Sequence, residues 1–350
     1  MAIESLQQLG AVFLSPALIY FNQNLLENRP AERPLYFFAR EGYWLEQAFT
    51  RYSAAKKTSV DTRYMLVSRS FLFKIGLIKP ETYTYSLNFK FSGSMYDLLR
   101  TRFMLSDMKI RQVFSEKEFG KSLTLPQDIS KVSAALQAKI PLLTPVIAKS
   151  ADAYAQYLTQ LGFFDHQQVD VVDLGYGGTI QTLLSLIFNV DTMGHYLIAS
   201  NPGKKTVGDN NNSVVMRGYL KEGVKLGEGY LPLDRSMFLE GLLTAPVGQF
   251  QDIRFSPLPH RDFDYYYGRK VFTQHNFHLV EAICQGALNQ LQQFAEQGIE
   301  FSQEEIESLY ISFVTKRGLL PRQSWPLFEI DDDIANEGTV NGIDFFGLRV

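Results

Sequence analysis

The stretch Val169-Asp170-Val171-Val172-Asp173-Leu174-Gly175-Tyr176-Gly177-Gly178-Thr179-Ile180-Gln181 sets the reading of this chain. Val169, Val171 and Val172 form a short β-branched run suited to a buried strand. Gly175, Gly177 and Gly178 let the backbone turn sharply, and after Thr179 the apolar residues Ile180, Leu183, Leu184 and Ile187 recur at helical spacing. The order is strand, glycine-rich turn, helix. Such a turn aims unpaired backbone N–H groups and the positive end of a helix dipole at the space above the sheet edge, where a phosphate fits. Asp173, at the strand end, is placed to meet hydroxyls or a hydrated metal, and Thr179 to cap the helix or donate to a phosphate oxygen. Taken alone, the same residues equally describe an ordinary tight connection whose glycines only permit the turn.

The same order occurs twice upstream. Leu35-Tyr36-Phe37-Phe38-Ala39 is a compact apolar strand, followed at once by Arg40-Glu41-Gly42 and a helix containing Trp44, Leu45 and Phe49. Arg63-Tyr64-Met65-Leu66-Val67 is a third strand, closed by Ser68-Arg69-Ser70. Charges directly after a buried strand fall where open α/β sheets bind ligands, outside the carboxyl ends of the strands. Arg40 offers a planar fork suited to diphosphate, and Gly42 allows close backbone approach. The plainer alternatives are a surface ion pair for Arg40 and Glu41 and a helix-start surface residue for Arg69. If the three strands are neighbouring and parallel, Arg40, Arg69 and Asp173 converge on one edge.

The rest of the chain frames these units. Ile3 to Leu26 reads as largely helical, with a kink or break at Pro16. Residues 78 to about 161 read as an inserted helical region without a Ser/Gly/Pro-rich linker, in which Arg100 and Arg102 either face an acceptor or are solvated. His195-Tyr196-Leu197-Ile198-Ala199 is another strand. Asn201-Pro202-Gly203 breaks it, and Lys204 to Asn212 predicts a mobile loop before strand character returns over Ser213 to Leu220. Met237, Phe238, Leu239 and Leu242 predict a short helix carrying Glu240, an acid that is paired, raised in pKa if buried, or simply on the helix surface. Helices are expected over His278 to Phe294 and Glu304 to Val314, and Asp331-Asp332-Asp333 reads as loop and tail. The fold class expected is α/β: one domain over 1–350 with a Rossmann-like, largely parallel sheet, the helical insertion, and a helical C-terminal extension at about 271–350.

Composition narrows the classes of function. With 350 residues, 45% of them hydrophobic and 13% aromatic, the chain can bury a substantial core. A formal net charge of -3 argues against nucleic-acid binding through a basic surface. The one cysteine, Cys284, excludes an intrachain disulfide and any multi-cysteine zinc site, which points to a reducing cytoplasm. The five histidines form no metal signature, and His275 and His278 fall near a helix start. The apolar run Ala11 to Tyr20 lacks a basic leader and a cleavage site, and Asn22 and Asn24 interrupt it short of a membrane span, so it reads as a buried helix. Any membrane association is then peripheral, through a lipid-linked substrate or a partner.

Leu35 to Tyr43, Val67-Ser68-Arg69 and Val172 to Gln181 together resemble one family, and Glu240-Gly241-Leu242-Leu243-Thr244-Ala245-Pro246 and Ile283-Cys284-Gln285-Gly286-Ala287 also fit its pattern. The chain looks like the non-phosphatase half of proteins from bacterial polysaccharide gene clusters that often carry a haloacid-dehalogenase-type phosphatase in front. That half resembles the glycan phosphoribosyltransferases. The resemblance runs over most of the chain. It implies a phosphoribosyltransferase-type fold and transfer of 5-phosphoribose from phosphoribosyl pyrophosphate to a sugar hydroxyl of a lipid-linked O-antigen or capsule precursor, with release of diphosphate. No Asp-x-Asp-x-Thr motif is present, so a separate phosphatase is expected to remove the 5-phosphate and leave ribofuranose. Ordinary phosphoribosyltransferases end the corresponding strand in two adjacent acids; here Asp173 stands without the second, and the spacing to Gly177-Gly178-Thr179 is shorter.

On this reading the 5-phosphate sits on Gly175, Tyr176, Gly177, Gly178 and Thr179, with Gln181 in the same motif, while Asp173 orients the ribose hydroxyls. Diphosphate lies against Arg40, the Gly42 backbone, Ser68 and Arg69, with Mg²⁺ sharing its charge and Asp173 as a further contact of the metal. Glu41 and Glu240 are the candidates to accept the acceptor's proton. Two rivals are a nucleotide-sugar glycosyltransferase, which requires a nucleobase pocket, and a glycan-binding or docking partner of a phosphatase, which consumes no donor.

Overall fold

Leu35–Phe38 is the strand from which the rest can be built. All four of its side chains are buried, and they alternate: Leu35 and Phe37 enter one hydrophobic core, Tyr36 and Phe38 the other. A strand buried on both faces belongs inside a sheet covered on both sides, so its neighbours run parallel and helices close each face. The computed structural model describes residues 2–30, 32–332 and 338–350. In chain order its strands are β1 (Leu35–Phe38), β2 (Thr62–Met65), β3 (Phe91–Ser94), β4 (Ser122–Leu125), β5 (Gln168–Asp173), β6 (Asp191–Ala199), β7 (Gly203–Val207), β8 (Asn212–Glu222), β9 (Phe250–Phe255), β10 (Phe263–Tyr267), β11 (Glu329–Asp332) and β12 (Gly338–Asn341).

Six of these form the main sheet in the order β2-β1-β5-β6-β8-β7. All its pairs are parallel except β7 with β8. The chain is therefore α/β with a mostly parallel sheet, compatible with a Rossmann-like arrangement. From β1 the chain moves to β2 on one side and later returns to β5 on the other, which makes the β1/β5 boundary the topological switch point. The register aligns Phe37 with Tyr64 on β2 and Val172 on β5, so these three strands end level with one another.

One face of the sheet is covered by the N-terminal helices, Gly42–Ala55, Phe277–Gln297 and Gln303–Thr315, the other by the insertion and the β9–β10 pair. The N-terminal segment is helical over Ala2–Leu9 and Ser15–Asn28, with a π-helical turn, Gly10–Leu14, between them. The irregularity thus precedes Pro16, which occupies the first turn of the second helix where its missing N–H does no harm. Ile3–Asn28 is long and apolar enough to cross a membrane by length and composition, contrary to the interruption expected at Asn22, and 72% of its most apolar window is buried inside the structure. Close helix crossing explains part of that burial: a Cβ on Gly10 would collide with the Ile283 carbonyl, and one on Gly286 with the Gln7 carbonyl.

Three expectations are corrected. Lys204 to Asn212 is not simply a loop, because Gly203–Val207 pairs with β8 as an edge strand. Its side chains are nearly all exposed and two are lysines, so it lacks the apolar alternation of a half-buried strand, as edge strands often do. The insertion is mostly helical but carries the antiparallel pair β3–β4. Asp331 and Asp332 lie in β11, paired with β12, rather than in a tail; Asp333 lies outside the described residues.

Beneath the strand ends runs a buried polar line that the sequence did not announce. Arg33 donates Nε–H to Asp170 Oδ2 at 2.6 Å, Asp170 Oδ1 lies 3.0 Å from His195 Nε2, and His195 Nδ1 lies 2.7 Å from the Tyr219 hydroxyl. Asp170 and His195 are fully buried, so the line ties β5, β6 and β8 together within the core. Asp170→Ala leaves a buried imidazole and a guanidinium without their carboxylate, and a loss of about 3 kcal/mol or more is expected from urea denaturation. A loss under about 1 kcal/mol would show that the line does not support the sheet.

Candidate functional site

The level ends of β2, β1 and β5 open into a cleft of about 470 Å³. Each strand contributes a short charged or glycine-rich turn to its wall. After β1, Ala39, Arg40 and Glu41 line it; after β2, Val67, Ser68 and Arg69; after β5, Asp173 and the run Leu174 to Ile180. The opposite wall takes Phe89 from the insertion and Ser200, Ser236, Glu240, Gln249 and Phe250 from beyond β5. Arg40, Arg69 and Asp173 therefore meet at one sheet edge, as neighbouring parallel strands require.

Local sequence fixes each turn. Tyr43 N–H donates to the Arg40 carbonyl and Trp44 N–H to that of Glu41, which starts the helix Gly42–Ala55 directly after the charged pair. A Cβ on Gly42 would stand 2.7 Å from the Phe37 carbonyl carbon, so this glycine serves the packing of helix on strand, and it is not among the residues lining the cleft. Ser68 Oγ donates to the Phe250 carbonyl at 2.6 Å and accepts the Phe71 N–H at 3.1 Å. It caps the helix Arg69–Ile75 and anchors the far wall, and Ser68 also lines the cleft.

The third turn is held from beside it by β6. Ser200 N–H donates to the Tyr176 carbonyl at 2.7 Å, and the Asn201 amide to the Gly177 carbonyl at 3.2 Å. Gly178 is the residue of this turn with positive φ, +69°, and a Cβ there would sit 3.2 Å from Met216 Sδ. It is also the N-cap of the helix Thr179–Phe188, so Thr179 begins that helix rather than capping it. The helix has ten residues, and its first N–H groups have no partner within it. Gly175 is free of steric contact at its Cβ position. The peptides Ala39–Arg40 and Gly175–Tyr176 are both cis.

Gln181 is used elsewhere. It is fully buried under the turn, donating to Thr192 Oγ1 at 3.0 Å and the Val215 carbonyl at 2.8 Å, and accepting the Tyr196 hydroxyl at 3.0 Å. It supports β6 and β8 and does not line the main cleft.

Two cations face three carboxylates across this space. Arg40 Nη2 is 3.9 Å from Glu41 Oε1, too far for a hydrogen bond, and the Arg40 side chain is 39% exposed. Arg69 is open to the cleft, lies over the Phe89 ring at 5.7 Å, and makes no ion pair within 4 Å among the described residues. Crowding by the walls pushes its pKa down, opposed by Glu240 and Asp173. Asp173 Oδ1 accepts the Leu174 N–H at 2.8 Å. Burial, and then the charge of Glu41, raise its carboxyl well above the usual range. Glu240 is raised by burial and by Glu41 as well, while Ser236, which donates to its Oε1 at 3.0 Å, holds it down in part. The Tyr176 hydroxyl is buried beside Ser236 and Glu240 without a hydrogen bond of good geometry.

The donor set bears on a metal. No cluster of three or more histidine, cysteine or acidic side chains among the described residues is arranged to hold one. Crowded carboxylates beside guanidiniums that are not hydrogen-bonded to them among the described residues nonetheless suit a hydrated divalent cation that arrives on an anionic substrate, with most of its ligands from substrate and water.

Of the cleft's far wall, sequence reasoning named Glu240 but missed Phe89, Ser200, Ser236, Gln249 and Phe250. Ser236 alone carried a local signal, four residues before Glu240 on the same helical turn.

The crowding predicts a pH dependence. Asp173 and Glu240 have folded pKa values above their unfolded ones, so the folded state binds protons more tightly, and stability falls as pH rises through the raised values. Glu240→Gln removes one repelling charge. It should raise the melting temperature of the ligand-free protein at pH ~8, with a smaller gain at pH ~5 and none below the ordinary carboxylate range. Thermal unfolding across that range checks it; an equal gain at every pH would mean that charge is not the cause.

No protein-family model matches the chain, and no curated protein matches its sequence, so the chemistry of the cleft is the ground for assigning a function.

Proposed function

We propose that the protein is a glycan phosphoribosyltransferase of phosphoribosyltransferase-like fold. In this reading it transfers 5-phosphoribose from phosphoribosyl pyrophosphate to a sugar hydroxyl of a bacterial polysaccharide precursor. The observation that carries it is the meeting of Arg40 and Arg69, neither hydrogen-bonded to a carboxylate among the described residues, with the N-terminus of the helix Thr179–Phe188 at one topological switch point. A donor with an anionic group at each end matches two separate anion-favouring features across one cleft. The resemblance of the arginine turn and the Asp-Leu-Gly-Tyr-Gly-Gly-Thr turn to that family supports the same assignment.

The 5-phosphate would rest on the Gly175 to Thr179 backbone, and Asp173, with one oxygen tied to Leu174, would orient the ribose hydroxyls. Arg40 and Arg69 would hold the diphosphate. Mg²⁺ bound with the donor would supply charge neutralisation to the leaving group, and Asp173 would share in holding it. As the C1–oxygen bond breaks, its electron pair leaves on diphosphate while the acceptor oxygen bonds to C1, in a transition state with oxocarbenium character. The acceptor proton goes to a carboxylate. Asp173 and Glu240, with raised pKa values, are better bases near neutrality than an ordinary acid. A single displacement at an α-configured donor gives a β-ribofuranosyl product, which a separate phosphatase completes. A cytoplasmic setting, peripheral to the membrane that carries the acceptor, goes with this role.

Arg40→Ala and Arg69→Ala should each lower turnover ~10²–10³-fold if the guanidiniums stabilise the leaving group. Gly178→Val, which forces a β-branched residue to positive φ against Met216, should abolish donor binding. The assay supplies phosphoribosyl pyrophosphate, Mg²⁺ and a panel of glycan acceptors, and follows acceptor-dependent diphosphate release and product mass. Near-normal turnover of both arginine variants would remove the diphosphate assignment. Release of a nucleoside diphosphate from a sugar nucleotide would favour a different glycosyltransferase, and glycan binding without donor consumption a docking role.

A further inference from the structure

We propose that the pocket of about 350 Å³ lined by Thr84, Tyr85, Asn88, Phe89 and Thr179 is the subsite for a neutral sugar ring of the acceptor. This rests on the phosphoribosyl-transfer reading above for the word acceptor, and on its own chemistry for the word sugar. The pocket continues from the main cleft, because Phe89 and Thr179 line both. A ring bound there lies beside the helix start to which the reading assigns the donor's 5-phosphate.

The lining selects the ligand class. Tyr85 and Phe89 are half-buried aromatic surfaces four residues apart, and they favour the apolar C–H face of a ring. Thr84 and Asn88 are exposed, also four residues apart, and make no side-chain hydrogen bond among the described residues, so an amide and a hydroxyl are free to meet a sugar's rim. None of the five lining residues is ionisable near neutrality, and the cations that stand beside them, Lys205 and Arg69, disfavour an amine as occupant. Apolar faces with a few placed polar groups are what small-ligand sites are made of.

The platform is also fixed in place. Arg102, which sequence alone left between acceptor contact and solvated charge, is 3% exposed and points inward. It donates to the carbonyls of Ser86 at 3.3 Å, Phe89 at 3.1 Å and Lys90 at 3.0 Å, gripping the backbone that carries Asn88 and Phe89. Lys205 of the edge strand stands over the Tyr85 ring at 5.5 Å, and Arg69 over Phe89 at 5.7 Å. Rings held this way lose little freedom when a ligand stacks on them. Arg69 thereby touches both the donor cleft and the wall of the sugar pocket.

The test uses saturation-transfer NMR with the methyl glycosides of glucose, galactose, mannose and N-acetylglucosamine, and in parallel calorimetric titration with Mg²⁺-diphosphate. Wild type should take saturation to at least one glycoside, and Tyr85→Ala should weaken that binding roughly tenfold. Asn88→Ala, at an exposed position that does not threaten folding, should weaken it severalfold, while both variants bind Mg²⁺-diphosphate as wild type does. No transfer to any glycoside in wild type, or equal transfer in wild type and both variants, overturns the subsite. If wild type fails to bind Mg²⁺-diphosphate yet loses glycoside binding on Tyr85→Ala, the sugar site stands and the donor reading falls.

Discussion

The structure depends on three parallel strands that stop at the same level. β1 and β5 are buried on both faces almost throughout, so the sheet interior has no room for a ligand or for unsatisfied charge. Polar groups can gather only where the strands run out. Because β1 lies between β2 and β5, the turns that follow these strands share one edge, and helices start away from it on either side. The cleft is a consequence of strand order before it is a consequence of any one residue.

Electrostatics then give the cleft its character. Burial, and then the charge of Glu41, raise the proton affinity of Asp173 and Glu240, and Arg69 beside the first and Arg40 beside the second offset this only in part. A site in that condition is unfavourable to itself, and on the proposed reading a ligand carrying both anionic oxygens and a bound cation would relieve it, its oxygens meeting the guanidiniums and its cation the carboxylates. Elements remote from the chemistry keep these groups in place. Ser68 ties the β2 turn to the β9–β10 pair, Ser200 and Asn201 hold the glycine turn, and the Trp44 indole and Cys284 thiol donate to the carbonyls of Thr244 and Leu242, packing the segment after Glu240 against its neighbours.

Much of this was legible in local sequence because local forces decide it. Val169, Val171 and Val172 are β-branched and glycines follow from Gly175, so strand and turn follow from propensity, and the 3.6-residue spacing after Thr179 gives the helix. The failures have particular causes. Gly203–Val207 is an edge strand that buries almost nothing, so it carries no hydrophobic period. Gly42 and Gln181 adjoin the right turns, yet Gly42 is committed to close packing on Phe37, and Gln181 to Thr192, Val215 and Tyr196 farther along the chain. Arg102 has the sequence context of a surface residue, and only the fold wraps the 86–90 backbone around its guanidinium.

By itself the sequence determined the strand–turn–helix units, the charges at their ends and the helices that flank them, because each is written in a window of a dozen residues. Tertiary structure alone decided that Arg40, Arg69 and Asp173 share a cleft, that Glu240 closes it from the far wall, and that Phe89 and Tyr85 extend it. Strand order and the folding back of the insertion bring together positions some 90 to 200 residues apart. Contacts at that separation leave no period, cap or spacing in the chain; they exist because two buried sheet faces must be covered and the covering segments have to come from somewhere else.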